Sequence, residues 1–444
     1  MPESKILNRI APDKVHETLR QSILVDGFDV VVDLEKSRGV RLFDARSQRP
    51  YLDMFSCFAS APLGFNHPRL SGPEFVAMLG RMAITKPSNS DLYSVEMAEF
   101  VDTFARLARP EQLPHLFFVE GGALGVENAL KTAMDWKVRK NLAAGRGEKG
   151  HRVIHFRECF HGRTGYTLSL TNTDPVKTMY FSQFDWPRIR NPKLTFPVTP
   201  AVVAETEQAE AEAVHEIEQA FQEYEHDICA IILEPIQGEG GDNHFRAEFF
   251  PKLRKLADEH DALLIFDEVQ TGLGLTGRMW AFEHYGVQPD AIAFGKKTQV
   301  CGTAVGRRVD EVEDNVFRVS SRLNSTWAGN LIDMIRCQRI LEVMEEENLV
   351  ENAARVGEEL LQGLQAVSNQ QAEKISNARG LGLMCAFDVR DADVRKKLLR
   401  SCHERGLMLI GCGERTVRFR PALTVQSADI AEALDILGQA ASAL

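Results

Sequence analysis

The sequence lacks the features that would place it in several broad classes of protein. No apolar run approaches the roughly 18 residues of a membrane helix, and residues 1–29 contain no hydrophobic segment typical of a signal peptide. None of the eight cysteines stands in a C-x-x-C pair, which argues against a disulfide framework or a zinc site. Basic residues are in deficit, and the net charge of −11 argues against nucleic acid as the main partner. These absences predict a soluble, cytoplasmic protein without a metal site.

The composition that remains is that of an ordinary globular protein. The 444 residues are 44% hydrophobic and 26% charged, and this length allows two or three domains. There is no internal repeat. Residues 204–225 are rich in Glu, Gln and Ala, and their apolar residues recur at helical spacing, which predicts an amphipathic surface helix.

The middle of the chain alternates short apolar runs with helical patterns. The runs predict strands at residues 115–119, 152–156, 228–233, 262–266 and 291–294, with helices such as 126–139 and 249–259 between them. This alternation predicts an α/β domain with a largely parallel sheet, over residues 76–334. Residues 1–75 and 335–444 carry shorter elements and are predicted to form one smaller domain from both chain ends.

Polar and glycine-rich groups follow the ends of all five predicted strands. They are Gly121-Gly122-Ala123, Phe160-His161-Gly162-Arg163, Glu234 to Glu239, Asp267, and Lys296. Because ligands bind outside the carboxyl ends of the strands in open α/β sheets, one shared site is the simplest explanation. Glycines before a predicted helix also favour a phosphate at the helix N-terminus.

Asp267 and Lys296 stand 29 residues apart, each after an apolar run. A pyridoxal phosphate enzyme needs such a pair: an amine for a Schiff base and an acid that keeps the pyridine nitrogen protonated. Taken alone, the Asp is as well explained by hydrogen bonds to nearby amides, and the Lys by a solvated loop. The doubled lysine also leaves Lys297 as an alternative to Lys296.

Gly272-Leu-Gly-Leu-Thr-Gly277 matches the G-x-G-x-x-G pattern of dinucleotide-binding folds. In those folds the first glycine follows the strand almost directly and opens a full crossover helix. Here Asp267 to Thr271 intervene, and the next helical stretch ends within about eight residues at Gly286. The pattern therefore argues only weakly for a nicotinamide-dependent dehydrogenase.

Three segments together resemble the class III, fold type I pyridoxal phosphate aminotransferases. They are Glu234-Pro-Ile-Gln-Gly-Glu239, Asp267-Glu-Val-Gln-Thr-Gly272 and Pro289-Asp-Ala-Ile-Ala-Phe-Gly-Lys296. The resemblance extends from about Tyr51 to Pro421. Segments such as Gly240-Gly-Asp-Asn-His-Phe-Arg246 are most similar to the subgroup that acts on the ε-amino group of L-lysine, with 2-oxoglutarate as acceptor and L-glutamate as product.

The resemblance implies a role for each cofactor-binding residue. Lys296 would form the Schiff base and move the proton, Asp267 would bind the pyridine nitrogen, and Gln270 the ring hydroxyl. Phe160 would stack on the ring of pyridoxal 5'-phosphate. The phosphate would be held by Gly122, Ala123 and Thr326 of the partner subunit. A shared site of this kind implies a homodimer.

The resemblance also implies how one pocket accepts two unlike substrates. Arg418 would bind the α-carboxylate of glutamate, and Glu239 would mask that charge when lysine is bound. Arg163 would take the distal carboxylate of either substrate, and Asn324 is a further candidate contact. Phe58 is bulky for the N-terminal segment that lines the pocket in this family. An aminotransferase for ornithine, 4-aminobutyrate or another ω-amine therefore remains the alternative.

Overall fold

The structure is a computed structural model that describes residues 10–444. Its fourteen strands are β1 (Arg41–Asp44), β2 (Arg49–Asp53), β3 (His115–Val119), β4 (Arg152–Phe156), β5 (Arg188–Ile189), β6 (Ile228–Leu233), β7 (Leu263–Asp267), β8 (Ala291–Phe294), β9 (Cys301–Val305), β10 (Ile375–Leu381), β11 (Met384–Val389), β12 (Leu407–Met408), β13 (Ile410–Cys412) and β14 (Thr416–Phe419) in the described chain.

The helices differ widely in length. The right-handed α-helices of the described chain are Val15–Arg20, Pro68–Ser71, Pro73–Ala83, Val95–Leu107, Gly122–Ala143, Gly165–Leu170, Pro200–Glu223, Phe249–Glu259, Leu331–Glu346, Leu349–Gln370, Ala392–Glu404 and Ser427–Ser442. Residues Ser56–Ala59 form a single left-handed helical turn. Short 3₁₀ turns lie at Pro12–Lys14, Pro175–Lys177, Ala281–His284, Lys296–Thr298 and Arg307–Glu311. Among the helices of residues 10–444, none combines the length and apolar character of a bilayer-crossing segment.

A seven-stranded sheet forms the centre of the molecule, in the order β3-β9-β8-β7-β6-β4-β5. The five strands from β8 to β5 are parallel, whereas β9 runs antiparallel to both β8 and β3. Four predicted strands are confirmed in full, and the fifth, β7, lies one residue later than predicted. Strands β5 and β9 were not predicted, and β9 begins only seven residues after β8 ends.

Side chains of the central strands alternate between two hydrophobic cores, one on each face of the sheet. Leu263 and Ile265 of β7 belong to the core under helix Gly122–Ala143. Leu264 and Phe266 of the same strand belong to the larger core, which also holds helix Phe249–Glu259. Burial on both faces explains why these strands are continuous apolar runs in the sequence.

The two ends of the chain meet in smaller sheets. Strand β12, near the C-terminus, pairs in parallel with β2, near the N-terminus, and β1 pairs with the other edge of β2. A second sheet has the order β10-β11-β14-β13. The predicted α/β architecture with a smaller part from both chain ends is therefore confirmed. The boundaries at residues 75 and 334 stay a prediction, and the first nine residues lie outside the described ones.

The predicted amphipathic helix at 204–225 is observed as Pro200–Glu223. It begins earlier than predicted because Pro200 occupies its first turn, where a missing N–H costs nothing. The side chain of Thr199 accepts a hydrogen bond from the Val202 amide and caps the helix. Ile217 and Phe221 are buried, as the helical spacing predicts.

Candidate active site

Groups from the carboxyl ends of β4, β6, β7 and β8 meet around one cavity of about 310 Å³. The helix that follows β3 contributes its first residues to the same cavity. The lining residues are Gly122, Ala123, Phe160, His161, Gly162, Arg163, Glu234, Asp267, Val269, Gln270 and Lys296. Seven predicted site residues are thus brought together: Gly122, Ala123, Phe160, Arg163, Asp267, Gln270 and Lys296.

Asp267 is the last residue of β7, and its carboxylate is buried at the edge of the cavity. One oxygen, Oδ2, lies 2.8 Å from His161 Nδ1, and the other accepts a hydrogen bond from the Val269 amide at 3.0 Å. Burial alone would lower the pKa of His161, but Cys159 and Asp267 together hold that pKa well above its usual value. The carboxylate is therefore fixed in orientation by contacts at both of its oxygens.

Lys296 and Lys297 have different surroundings. Lys296 lines the cavity, and its backbone has a φ of 52°. Lys297 is 1% exposed, and its Nζ donates to the carbonyl of Gln270 at 2.7 Å. Burial, reinforced by the charge of Arg418 and opposed by Asp267, lowers the pKa of Lys296. The geometry therefore favours Lys296 as the reactive amine and gives Lys297 a structural contact.

The turn after β3 can hold a phosphate. Gly121 has a φ of 106°, which favours glycine, and it precedes the 22-residue helix Gly122–Ala143. A Cβ on Gly122 would lie 2.8 Å from Val269 Cγ1, so the backbone approaches the cavity wall more closely than a larger residue allows. Free amides at this helix N-terminus favour an anion. With Asp267, Phe160 and Lys296 nearby, the cavity fits pyridoxal 5'-phosphate.

Gln270 is held from behind by an arginine of the C-terminal segment. Arg420 donates from Nε and Nη2 to Gln270 Oε1, at 3.1 and 2.9 Å, and pairs with the buried carboxylate of Asp242. A Cβ on Gly238 would overlap the Gln270 side chain, so this glycine leaves the space that Gln270 occupies. The smaller part of the molecule thereby fixes a side chain of the cofactor cavity.

Glu234 is a further buried acid of the cavity. Its carboxylate accepts hydrogen bonds from the Phe160 amide at 2.9 Å and the Gly238 amide at 3.0 Å. Burial, reinforced by the charge of Asp267, raises the pKa of Glu234 to about 7. Glu234 thus connects the segment after β4, which carries Phe160, to the loop after β6.

Glu239 and Arg418 are in contact, as the prediction of a paired role requires. Arg418 Nη2 donates to Glu239 Oε2 at 2.8 Å, and Lys177 Nζ donates to the other oxygen, Oε1, at 2.7 Å. Burial alone would raise the pKa of Glu239, but Arg418 and Lys177 keep it below its usual value. Arg418 Nε and Nη1 are buried and have no hydrogen-bond partner among residues 10–444.

Phe58 lies beside this ion pair, in a turn of unusual backbone geometry. Ser56, Cys57, Phe58 and Ala59 all have positive φ, between 38° and 63°. The Phe58 ring centroid is 6.0 Å from the guanidinium carbon of Arg418, and the ring is 47% exposed. The bulky side chain therefore lies beside Arg418 and does not line the cavity of Lys296.

The remaining predicted substrate and phosphate contacts lie toward the surface. Arg163 lines the cavity but is exposed and forms no ion pair within the described chain. Asn324 and Thr326 are exposed and do not line this cavity in the described chain. The Thr326 carbonyl accepts a hydrogen bond from Ser88. Their proposed roles stay predictions.

The glycine-rich segment after β7 forms consecutive turns rather than a loop followed by a crossover helix. A Cβ on Gly272 would overlap the Trp280 ring, and one on Gly277 would lie 2.8 Å from the Ala354 Cβ. These glycines allow close packing against Trp280 and helix Leu349–Gln370. The dinucleotide pattern is accounted for without a nucleotide.

Sequence reasoning missed four residues that the geometry makes important: His161, Val269, Lys177 and Arg420. His161 and Val269 lie within the quoted motifs, directly beside Phe160 and between Asp267 and Gln270. Lys177 and Arg420 carry no such signal. They reach the site only through long-range folding, Lys177 from a loop 62 positions before Glu239 and Arg420 from 150 positions after Gln270.

Comparison with known proteins identifies the family. A model described as aminotransferase class-III matches residues 25–441. An L-lysine-epsilon aminotransferase from Mycobacterium tuberculosis is 55% identical over 426 residues, which cover 95% of this chain and 94% of the relative. One from Streptomyces clavuligerus is 49% identical over 432 residues, covering 97% and 94%. The solved structure of a lysine aminotransferase from M. tuberculosis in the internal aldimine form has a TM-score of 0.95 at 53% identity, covering 97% of this chain and 99% of that one. The chain belongs to the class-III aminotransferases.

Proposed function

We propose that this enzyme transfers the ε-amino group of L-lysine to 2-oxoglutarate, giving L-glutamate and 2-aminoadipate 6-semialdehyde, which cyclises. The observation that carries the proposal is the buried Arg418, which is paired with Glu239 through one nitrogen and leaves two others without a partner in the described chain. A buried cation with spare donors suits a carboxylate, and a removable carboxylate partner suits a pocket that must also accept an aliphatic amine.

The cofactor is pyridoxal 5'-phosphate, and the chain's own residues define how it would be held. When bound, it supplies an aldehyde that takes up the amino group and a ring that accepts electrons from the substrate carbon. Asp267, fixed by His161, would hold a proton at the ring nitrogen. Gly122, Ala123, Gln270 and Phe160 line the same cavity. The backbone amides of Gly122 and Ala123 would bind the phosphate, Gln270 the ring hydroxyl, and Phe160 would cover the ring.

Lys296 would accept and return the proton at the substrate carbon. Its pKa is lowered chiefly by burial, so a larger fraction of the amine is unprotonated and able to accept a proton at neutral pH. Lys297 does not compete for this role because its amine is hydrogen-bonded to the Gln270 carbonyl.

The two substrates differ at the carbon that carries the amine. Glutamate places a carboxylate there, and Arg418 binds it after Glu239 moves aside. Lysine places a methylene there, and Glu239 stays on Arg418 and neutralises it. Arg163, exposed at the edge of the cavity, takes the distal carboxylate of either substrate. Asn324 would contact substrate from the same loop that carries Thr326.

The active enzyme is proposed to be a homodimer in which Thr326 of the partner subunit completes the phosphate site. An exposed apolar surface beside Thr326 supports this arrangement. Its members are Ile84, Leu92, Tyr93, Val95 and Trp327, which are between 42% and 83% exposed. Lys86 lies 3.8 Å from the Trp327 ring centroid and so links the two parts of this surface.

The test is the visible absorption of the purified enzyme, followed one substrate at a time. L-lysine alone should bleach the yellow band of the bound cofactor, and 2-oxoglutarate alone should then restore it. L-ornithine and 4-aminobutyrate, added separately, are the matched amines. If either of these bleaches the band and lysine leaves it unchanged, the substrate assignment is wrong although the enzyme is still an aminotransferase.

A further inference from the structure

Glu239 has a second cationic partner in addition to Arg418. Lys177 Nζ lies 2.7 Å from Glu239 Oε1, while Arg418 Nη2 lies 2.8 Å from Oε2, so each carboxylate oxygen has its own cation. Lys177 ends the short turn Pro175–Lys177, which the side chain of Asp174 caps at the Val176 amide. Its amine also donates to Thr173 Oγ1 at 3.0 Å. The lysine side chain is therefore fixed on both sides and 16% exposed.

Arg418 and Lys177 differ in the contacts that they form besides the ion pair with Glu239. Arg418 is 2% exposed and belongs to β14 in the interior, with two nitrogens left without a partner in residues 10–444. Lys177 Nζ donates to Glu239 and Thr173 and lies 5.5 Å from the ring centroid of Phe160, and Lys177 itself does not line the cavity of Lys296. A dicarboxylate substrate can therefore displace Glu239 from Arg418 while the ion pair between Lys177 and Glu239 remains.

The space into which Glu239 can move lies on the side of Lys177. Glu239, Lys177 and Thr173 line a separate cavity of about 810 Å³, which neither Arg418 nor Lys296 lines. A half-buried carboxylate that loses its only cation is costly, whereas one that keeps a partner is not. Release of Glu239 from Arg418 thus leaves the carboxylate on Lys177 and facing open space.

We propose that Lys177 is a positioning residue for the exchange between the two substrates: it holds Glu239 when glutamate or 2-oxoglutarate occupies Arg418. The inference rests on the proposed function of Glu239 as the removable partner of Arg418. Lys177 does not touch substrate; it acts through Glu239. Its loss leaves Glu239 with Arg418 as its one remaining ion-pair partner among residues 10–444, which opposes binding of the dicarboxylates and leaves the lysine reaction in place.

The experiment measures the two half-reactions separately in Lys177→Met, which keeps the length of the side chain and removes its charge. The KM for 2-oxoglutarate, and for glutamate in reverse, should rise about fivefold while kcat and the lysine half-reaction stay within about twofold. Lys177→Arg should restore the wild-type KM. Lys396→Met is the matched control, because Lys396 lines the same 810 Å³ cavity and forms no ion pair with Glu239 in the described chain.

A double variant decides whether Lys177 acts through Glu239. In a Glu239→Gln background, Lys177→Met should produce no further change in the KM for 2-oxoglutarate, because the carboxylate it positions is gone. The same fivefold rise in that background would mean that Lys177 binds the dicarboxylate directly or acts through the Phe160 ring, 5.5 Å from its amine, and equal losses in both half-reactions would mean a general structural role. Either result overturns the proposal.

Failure of the proposed function would be seen separately. If lysine does not react with the wild-type enzyme at all, the Lys177 variants can still be compared in the glutamate half-reaction. The other half-reaction is then measured with the amine that does react. A split between the dicarboxylate KM and the amine reaction would then support Lys177 as positioning residue, and no split would refute it.

Discussion

Lys296 and Lys297 are adjacent and chemically identical in the sequence, yet the fold gives them opposite surroundings. Lys296 lines the cavity, while Lys297 is directed to the Gln270 carbonyl and is buried. The positive φ of Lys296 places the two side chains on different sides of the turn. The family resemblance favoured Lys296, but only the backbone conformation supplies a physical reason.

This difference predicts unequal effects of removing each amine. Lys296→Ala should lower transamination by about 1,000-fold or more, because the group that moves the proton is lost. Lys297→Met should keep activity within about 10-fold, since it removes one hydrogen bond and retains the apolar stem. Steady-state rates with lysine and 2-oxoglutarate measure both. Comparable losses in the two variants would contradict the assignment of the reactive amine.

Glu234 gives a prediction for the pH dependence of stability. Its pKa is raised from 4.5 to about 7, chiefly by burial, so the folded state binds its proton more tightly than the unfolded state does. The stabilisation is fully present below the unfolded pKa and is lost as the pH rises through about 7. From the two values, the free energy of unfolding falls by about 3 kcal/mol over this window.

Glu234→Gln removes this titration while keeping the shape of the side chain. The melting temperature of the variant should therefore change less between pH 5 and pH 8 than that of the wild type. Glu148→Gln is a suitable control for the loss of a carboxylate, because Glu148 lies outside the cavity and its side chain is 76% exposed. An unchanged slope for Glu234→Gln would show that Glu234 is ionised in the folded protein throughout this range.

At the scale of secondary-structure elements, the sequence predicted the strands that are buried on both faces. It did not predict the strand whose pairing depends on residues distant in the sequence. Strands β6 and β7 are continuous apolar runs because both faces are covered, and this pattern is visible in the sequence. Strand β9 contains Gly302 and Thr303, and it pairs antiparallel with both β3 and β8, an arrangement that no alternation with helices indicates. The local sequence of β9 does not predict a strand, because its pairing depends on the adjacent strands β3 and β8.

The turn Ser56–Ala59 is the clearest case of an element that local preference disfavours. Non-glycine residues rarely adopt positive φ, at a cost of roughly 1–2 kcal/mol each, and here four do so in succession. Contacts from outside hold the turn in place: Asp53 accepts from the Phe55 and Ser56 amides, and Gln299 donates to the Ser60 carbonyl. The result is the position of Phe58 over Arg418.

Relief of this strain is expected to stabilise the protein. Cys57 has a φ of 54° and is exposed, so Cys57→Gly removes the unfavourable Cβ without emptying the core. We expect a rise in melting temperature of about 1 °C, since the gain is partly offset by the greater freedom of glycine in the unfolded chain. Cys57→Ala is the control, because it removes the thiol and keeps the Cβ. An equal rise in both variants would assign the effect to the thiol.

At the scale of the whole molecule, the single chain brings together all predicted cofactor residues except Thr326. The loop of Thr326 is held to Ser88 beside the exposed apolar surface of Ile84, Tyr93 and Trp327. No sequence pattern distinguishes a loop that serves its own chain from one that serves a partner. The prediction of a shared site came from the family resemblance, and it requires its own test.

A mixed dimer provides that test. Lys296→Ala inactivates the site that contains the altered lysine, and Thr326→Asp places a negative charge where the proposed phosphate contact comes from the other subunit. Thr326 is exposed, so the second change should leave folding intact. Each variant alone should be nearly inactive. Co-expression in equal amounts should give one intact site in every mixed dimer, and random pairing makes half of the dimers mixed, so about a quarter of wild-type activity should return.

The activity of the mixed dimer depends on whether Thr326 serves its own subunit or the partner subunit. If Thr326 served its own subunit, each chain of a mixed dimer would carry one defective site, and no activity would return. A reference mixture of Lys296→Ala with Asp267→Asn, two residues that line the same cavity of one chain, should stay inactive for that reason. Recovery in the first mixture without recovery in the second therefore requires that Thr326 cross to the partner's cofactor.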